Sequence, residues 1–302
     1  MSRPAVADES GQVLALFAAG LLVVLLGFMG VVVDVAAWYQ AQRHVQAVAD
    51  AAALAAVREL PGSTGAAAAA ARAYAASNAG VVAAPRFSRT TVPDDTVTVE
   101  ASQTAPVYFT RLFGIRAPIV HASATAAASA AASVADAVPI SIDASTPALA
   151  CGPPCYGQET TLDFGSVPDA GGAFGLLDFS EANGNVSPAT LAGWIASGYP
   201  GDIALGAYSS PGNRWNAAAV VAALSEVAAQ HRIVLVPVHT SVAGDGANAL
   251  YTIGGFAAFR VDSYDSGSDS LTGAFVAKVV ATGAVRGQGA RYYGVSATRL
   301  VR

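Results

Sequence analysis

Charge is scarce in this sequence. Of 302 residues, 16 are Lys or Arg and 21 are Asp or Glu, together 12%. An ordinary soluble chain is nearer a quarter charged. A charge-driven disordered tail is excluded, because disorder needs high charge and low hydrophobicity, and 53% of these residues are hydrophobic. The net charge of −5 argues against non-specific nucleic-acid binding, which needs a basic surface. Cysteine is nearly absent, with two residues, and there are only four histidines. Few side chains are therefore left for nucleophilic or metal chemistry. Long apolar runs are scarce as well: beyond one near the N-terminus, apolar segments are short or diluted by Ser, Thr, Asp and Arg. A multi-span membrane protein is excluded.

The one long run is Val13–Val33, 21 residues without a charge. As a helix it is ~30 Å long, enough to cross the hydrocarbon core. A secretory signal peptide competes with a retained anchor. Its apolar region is about 7–15 residues long and follows several positive charges. Here the run is longer, and Arg3 stands against Asp8 and Glu9, although Val35-Ala36-Ala37 offers small residues for cleavage. Arg3 on one side and Arg43 and Arg58 on the other leave the positive-inside rule nearly silent.

The helix does not stop at the membrane. No Gly or Pro occurs from Asp34 to Leu60, and Pro61-Gly62 is a strong stop. A continuous helix from Gln12 to Leu60 is ~70 Å long, with Trp38 and Tyr39 where an interfacial aromatic pair belongs. Gly20, Gly27, Asp34, Ala41 and Val48 recur every seven residues and share nearly one stripe. Small residues on a stripe admit a second helix closely in lipid, so Gly20, Gly27 and Asp34 are the candidate helix-packing residues. A carboxylate at the membrane edge either meets a partner or is solvated by headgroups. Farther along, Ala41, Val45, Val48, Ala52 and Ala55 keep a 3/4 spacing, away from Arg43, Asp50 and Arg58. That is a packing face for the protein's own body or for neighbouring subunits.

These residues resemble the N-terminal domain of the TadE/TadG-like proteins of Flp (tight-adherence) pilus assembly. The polar entry is Glu9-Ser10-Gly11-Gln12 into Val13-Leu14-Ala15. The exit is Val33-Asp34-Val35-Ala36-Ala37-Trp38-Tyr39, followed by the Ala/Asp-rich Gln46–Ala55. The match is close over about 9–60. It extends loosely through Val97–Glu100, Val107–Gly114 and Ile119–Ala126, which look like the strand, amphipathic segment and alternating strand that follow the helix. The resemblance implies a single-pass component of a pilus or adhesion apparatus in the cell membrane, with its C-terminal bulk outside the cytoplasm. It also implies other pilus-assembly proteins, or further copies of this chain, as partners. Two departures matter. Prepilin cleavage needs Glu five residues after Gly, and Gly11 is followed there by Leu16. The metal motif of von Willebrand A domains, Asp-x-Ser-x-Ser, reads Asp143-Ala144-Ser145-Thr146-Pro147 here, and Pro147 offers no side-chain oxygen.

The expected organisation is a polar N-terminus (1–12), a transmembrane helix (13–37), a helix-plus-strands region (38–128), an Ala/Ser-rich linker (129–150) and a C-terminal α+β domain (151–302). A second helix covers Thr64–Asn78 before Gly80. Residues 81–128 alternate as strands do. Later strands are expected at Thr160–Phe164, Phe174–Phe179, Ile233–His239, Leu250–Val261 and Ala274–Ala281, with a helix at Trp215–Gln230. The fold class is α+β: a membrane helix continuing as a long pilin-like helix, then a β-rich part with a mostly antiparallel sheet.

Candidate chemistry is thin. Cys151 and Cys155 flank Gly152-Pro153-Pro154 and either form a disulfide, implying an oxidising compartment, or remain thiols. His231 ends a helix and His239 a strand, with Asp245 and Asp262 as available acids. Gly165-Ser166-Val167 and Gly206–Ser209 do not form a nucleophile elbow. Gly171–Gly175 has no Lys or helix behind it and is no phosphate loop. Asp178, Glu181, Asp262, Asp265 and Asp269 are scattered, and Asp262–Asp269 reads as a solvated hairpin loop rather than a calcium site. No catalytic, cofactor or metal residue is assigned. A structural protein acting through helix packing is the leading expectation. A membrane-tethered hydrolase or ligand-binding module, working through His231, His239 and an acid, is the alternative.

Overall fold

The computed structural model describes residues 9–78, 80–90, 92–163, 174–180, 186–212, 214–244, 246–280 and 289–301. Helix α1 spans Glu9–Val57, 49 residues without a break. Among the described residues it is the one helix long and apolar enough to cross a membrane. Its first part stands clear of the body: Leu14, Phe17, Leu22, Val24, Phe28 and Met29 are exposed. Gly30 and Asp34 are already buried, and from Ala41 the helix packs continuously. Ala41, Val45, Val48, Ala49, Ala52, Ala53, Ala56 and Val57 are buried, which extends the expected 3/4 face; Ala55 is only partly covered. Helix α2 (Thr64–Ser77) starts where Ser63 Oγ accepts from the Ala66 N–H at 3.1 Å, a side-chain cap for an otherwise unpaired donor. Its buried Ala67, Ala71 and Ala75 meet the alanines of α1, since small side chains permit a close approach.

Both helices cover one face of a sheet built from β1 (Val81–Val82), β2 (Arg86–Ser88), β3 (Thr96–Thr104) and β4 (Ile119–Ala130), where β1 and β2 both pair with β3. Val97, Val99 and Ala101 of β3 and Ala124, Ala126 and Ala128 of β4 alternate inward onto α1 and α2, the period-2 pattern of a half-buried sheet.

The stretch expected as a linker, 129–150, is structured. It holds β5 (Ser133–Val134), β6 (Ile140–Asp143) and helix α3 (Pro147–Cys151), with Val134, Val138, Ile140 and Ile142 all buried. After it come β7 (Glu159–Asp163), β8 (Phe174–Leu176), α4 (Pro188–Ser197), β9 (Ile203–Ala204), β10 (Gly206–Ser209), α5 (Ala218–Ala229), β11 (Ile233–Ala243), β12 (Leu250–Asp265) and β13 (Ser270–Val276). Strand order in the second sheet is β7-β13-β12-β11-β6-β8, with β10 also on β12. Its pairings are antiparallel apart from β11 with β6. Leu191 and Ile195 of α4 and Val220, Leu224 and Val227 of α5 bury one face. Phe256, Ala258, Tyr251 and Ile253 of β12 belong to a core on the other.

Pro237 lies inside β11 opposite Phe256. The carbonyls of Leu235 and His239 accept from Val138 and Ala144 on the β6 side. Pro237 lies between them, facing the same side, and brings no N–H there. The short β6 ladder, Val238–Ile142 and His239–Asp143, accommodates the missing bond.

The expected strand at Ala274–Ala281 is divided. β13 ends at Val276 and β14 (Lys278–Val279) crosses to the first sheet, where it lies parallel to β15 (Val295–Val301). β15 in turn pairs antiparallel with β4, from Ser296–Ala130 to Val301–Thr125. The chain thus passes between the two sheets twice, once through 131–139 and once through β13–β14.

Candidate functional site

Asp34 is fully buried, and the groups around it belong to the segment between β3 and β4. Its carboxylate accepts from the backbone N–H of Tyr108 at 2.9 Å, of Phe109 at 3.0 Å and of Thr110 at 2.6 Å, and from the Thr110 hydroxyl at 2.6 Å. These are the unpaired donors at the start of a 3-10 turn, Thr110–Phe113. A helix start leaves its first N–H groups without internal partners, and Asp34 supplies the cap from another element. The turn closes at Gly114, whose φ of 78° is left-handed, a conformation glycine adopts without strain.

Gly30, one turn before Asp34, accepts the same segment. A Cβ there would lie 2.8 Å from Phe109 Cβ. One turn after Asp34, Trp38 Nε1 donates to the Pro106 carbonyl at 3.0 Å. Gln42 Nε2 then donates to the His121 carbonyl at 2.8 Å, and Gln46 Nε2 to the Ser123 carbonyl at 3.3 Å and to Asp50 Oδ1 at 2.8 Å. The docking stripe of α1 is therefore Gly30-Asp34-Trp38-Gln42-Gln46, every fourth residue. Side chains four apart stack along one helix face.

The heptad reading put Asp34 with Gly20 and Gly27. In the structure Asp34 is engaged within the chain, while a Cβ on Gly20 or Gly27 would meet nothing within 4 Å. The period-four stripe of large polar residues was overlooked because the sequence reading looked for small residues. The spacing of Asp34, Trp38, Gln42 and Gln46 was the available signal.

Cys151 and Cys155 are joined by a disulfide with their Cα atoms 5.9 Å apart, around the Gly152-Pro153-Pro154 turn. His231 and His239 are not brought together. They stand near opposite ends of the Ile233–His239 stretch, about 20 Å of extended chain. His231 Nδ1 lies 3.5 Å from Asp262 Oδ1, and Asp262 is also held by Arg260 Nε at 2.8 Å. That guanidinium, through its hydrogen bonds, keeps the Asp262 carboxyl below its ordinary range. Asp245 lies outside the described residues, as do Glu181, Gly165–Val167 and Gly171–Ala173.

His239 instead sits at a bulge in β11. Its Nδ1 is 2.8 Å from Ser141 Oγ and its Nε2 3.5 Å from Asp143 Oδ2, with the Tyr251 ring edge-on at 5.0 Å. Sequence reasoning missed Ser141 and Asp143 as its neighbours, since the parallel β11–β6 contact is long-range. The trio has the residue types of a hydrolase triad, but Ser141 and His239 are both buried. Burial lowers the His239 pKa.

The von Willebrand-like stretch is a turn. Asp143 Oδ1 accepts from the Ser145 N–H at 2.6 Å, and Pro147 opens α3. Asp265 likewise caps its own hairpin, accepting from Gly267 N–H and Ser268 Oγ at 2.8 Å each. Among the described residues, no three His, Cys, Asp or Glu converge as a metal-ligand set.

No curated protein and no solved structure gives a match. A family model described as Flp pilus-assembly TadE/G-like matches residues 11–59, the stretch that includes the lipid-length run, Gly30, Asp34 and the alanine face. Residues 11–59 are thus similar to a TadE/G-like Flp pilus-assembly segment, and the chain continues from them into an α+β body.

Proposed function

We propose that the protein is a single-pass, membrane-anchored structural or accessory component of a Flp/Tad-type pilus or adhesion apparatus. It acts by contact rather than by catalysis. The observation that carries this reading is the division of α1. Its first part belongs to a run long enough to span a bilayer and is largely exposed as far as Met29, while from Gly30 onward it is locked to the body. In lipid a bare helix with Gly20 and Gly27 on one stripe is suited to receive a second helix. The partners are other pilus-assembly proteins or further copies of this chain, and the α+β body lies outside the cytoplasm. The Cys151–Cys155 bond supports an oxidising compartment for it.

Gly27→Leu tests the stripe, because a Cβ at this position meets nothing within 4 Å in the folded chain. The variant should still insert in the membrane and fold, yet lose co-purifying partner subunits. Undiminished co-purification would count against packing through this stripe. Protease treatment of intact cells tests orientation. Digestion of the α+β body by external protease is expected, and complete protection would place the body inside.

A further inference from the structure

The segment clamped by Asp34 presents an unusual surface. Tyr108, Phe109, Leu112, Phe113, Ile115 and Ile119 are exposed, Leu112 at 82% and Phe113 at 68%. Arg111 and Arg116 are exposed among them. Its position along α1 follows from three contacts: Pro106 touches Trp38, the amides of 108–110 touch Asp34, and the Phe109 side chain abuts Gly30. Going from Pro106 to Phe109, the chain therefore moves back along α1 toward its apolar part by two turns, about 11 Å. That brings the 3-10 turn beside the last turn of the Val13–Val33 run. Asp34 fixes it there, and Gly30 makes the room.

We propose that this segment, residues 107–116, is a second membrane contact: a lipid-facing wedge that inserts Leu112 and Phe113 at the bilayer boundary while Arg111 and Arg116 meet lipid phosphates. The occupant is the bilayer that α1 crosses, because the apolar patch is continuous with the exposed apolar surface of that helix. Aromatic and basic residues at the headgroup level are the usual composition of an interfacial anchor. Such a wedge restrains the tilt and rotation of the body against the membrane, which one helix alone leaves free. The proposal rests on α1 being a membrane span.

The test is site-directed spin labelling of the full chain in phosphatidylcholine–phosphatidylglycerol vesicles. The native cysteines are bonded and take no label. Single variants L112C, L22C in the span and S225C on the exposed side of α5 each receive a nitroxide, and collisions with oxygen and with a water-soluble nickel chelate are compared. Leu112 is almost fully exposed, so its replacement leaves the fold intact. The wedge predicts that the label at 112 resembles the label at 22, favouring oxygen, and differs from that at 225. If 22 favours oxygen but 112 matches 225, the segment faces water, open to a protein partner instead, and the wedge is overturned while the span stands. If 22 also matches 225, the span itself fails and the wedge falls with it.

Discussion

Asp34 Oδ2 lies 2.6 Å from both the backbone nitrogen and the hydroxyl oxygen of Thr110, a residue 76 positions later in the chain. This contact joins the end of the apolar run to the segment between β3 and β4, so a helix long and apolar enough to cross a membrane and a β-rich body become one mechanical unit. A charged residue at the end of an apolar run is usually read as a marker of the interface. Here it holds a turn in place.

The clamp predicts graded losses. Asp34→Ala strands three backbone donors and a hydroxyl in a buried site, at a cost of at least about 2 kcal/mol. Amide exchange of residues 108–110 then rises about 30-fold, because local opening sets that rate. Thr110→Val removes only the hydroxyl bond and costs about 1 kcal/mol, a rise of several-fold. Hydrogen exchange read by mass spectrometry on the 106–114 peptide ranks the variants. Equal exchange in all three proteins would mean that the clamp does not hold the segment.

Much of this was legible in the sequence, for identifiable reasons. The long apolar helix and its continuation were readable because one uncharged run passes into a stretch without Gly or Pro. The positions of β11 and β12 followed from dense apolar runs. What escaped was non-local. β15 joins the first sheet although the two strands it pairs with, β4 and β14, lie far apart in the chain, and no local pattern announces such a partner. The 129–150 stretch looked like a linker because alanine and serine carry little hydrophobic signal; Ala131, Ala137 and Ser141 are buried here because the chain passes through this stretch from the first sheet into the core of the second. The Asp34 clamp was half visible: the residue stood out, but its partner depended on where the 106–115 segment returns.

Gly30 predicts a clash and its rescue. The Cβ of Gly30→Ala falls 2.8 Å from Phe109 Cβ, closer than real side chains approach, so the segment shifts at a cost of about 1–3 kcal/mol. Gly27→Ala meets nothing and leaves thermal stability unchanged. Removing the opposing Cβ together with its ring should relieve the strain, so Gly30→Ala combined with Phe109→Gly should show a favourable coupling in a double-mutant cycle. Additive losses would show that the two residues do not compete for space.

The Cys151–Cys155 bond spans a sequence separation of 4. Chain-entropy bookkeeping gives such a short loop about 2 kcal/mol. Thiol labelling of the native protein should be nil without reductant and double after reduction. A Cys151→Ser/Cys155→Ser variant should melt a few degrees lower while keeping the same fold. A native protein that labels fully before reduction would remove the bond.

The buried His239 sets a pH limit on the second sheet. Burial favours its neutral form, so its folded pKa lies below the ordinary value of 6.5, while the unfolded chain takes up a proton near about 6.5. The unfolded state therefore binds more protons in the window just below neutrality. Stability is fully present above pH of about 6.5 and is lost as pH falls toward the folded pKa. Asp143 acts lower. Burial opposes its ionisation, but the Ser145 hydrogen bonds and the His239 charge outweigh this and hold its carboxyl below 3.8. Its contribution is present above the unfolded value and is lost only as pH falls through that acid range. Between pH of about 7.5 and about 5 the histidine thus acts without the carboxylate. His239→Gln, which keeps a polar group opposite Ser141 but cannot titrate, should begin less stable at neutral pH and fall less steeply with acid. Melting curves of both proteins across that window give the comparison. Parallel pH profiles would show that His239 is not the group through which acid loosens the β11–β6 contact.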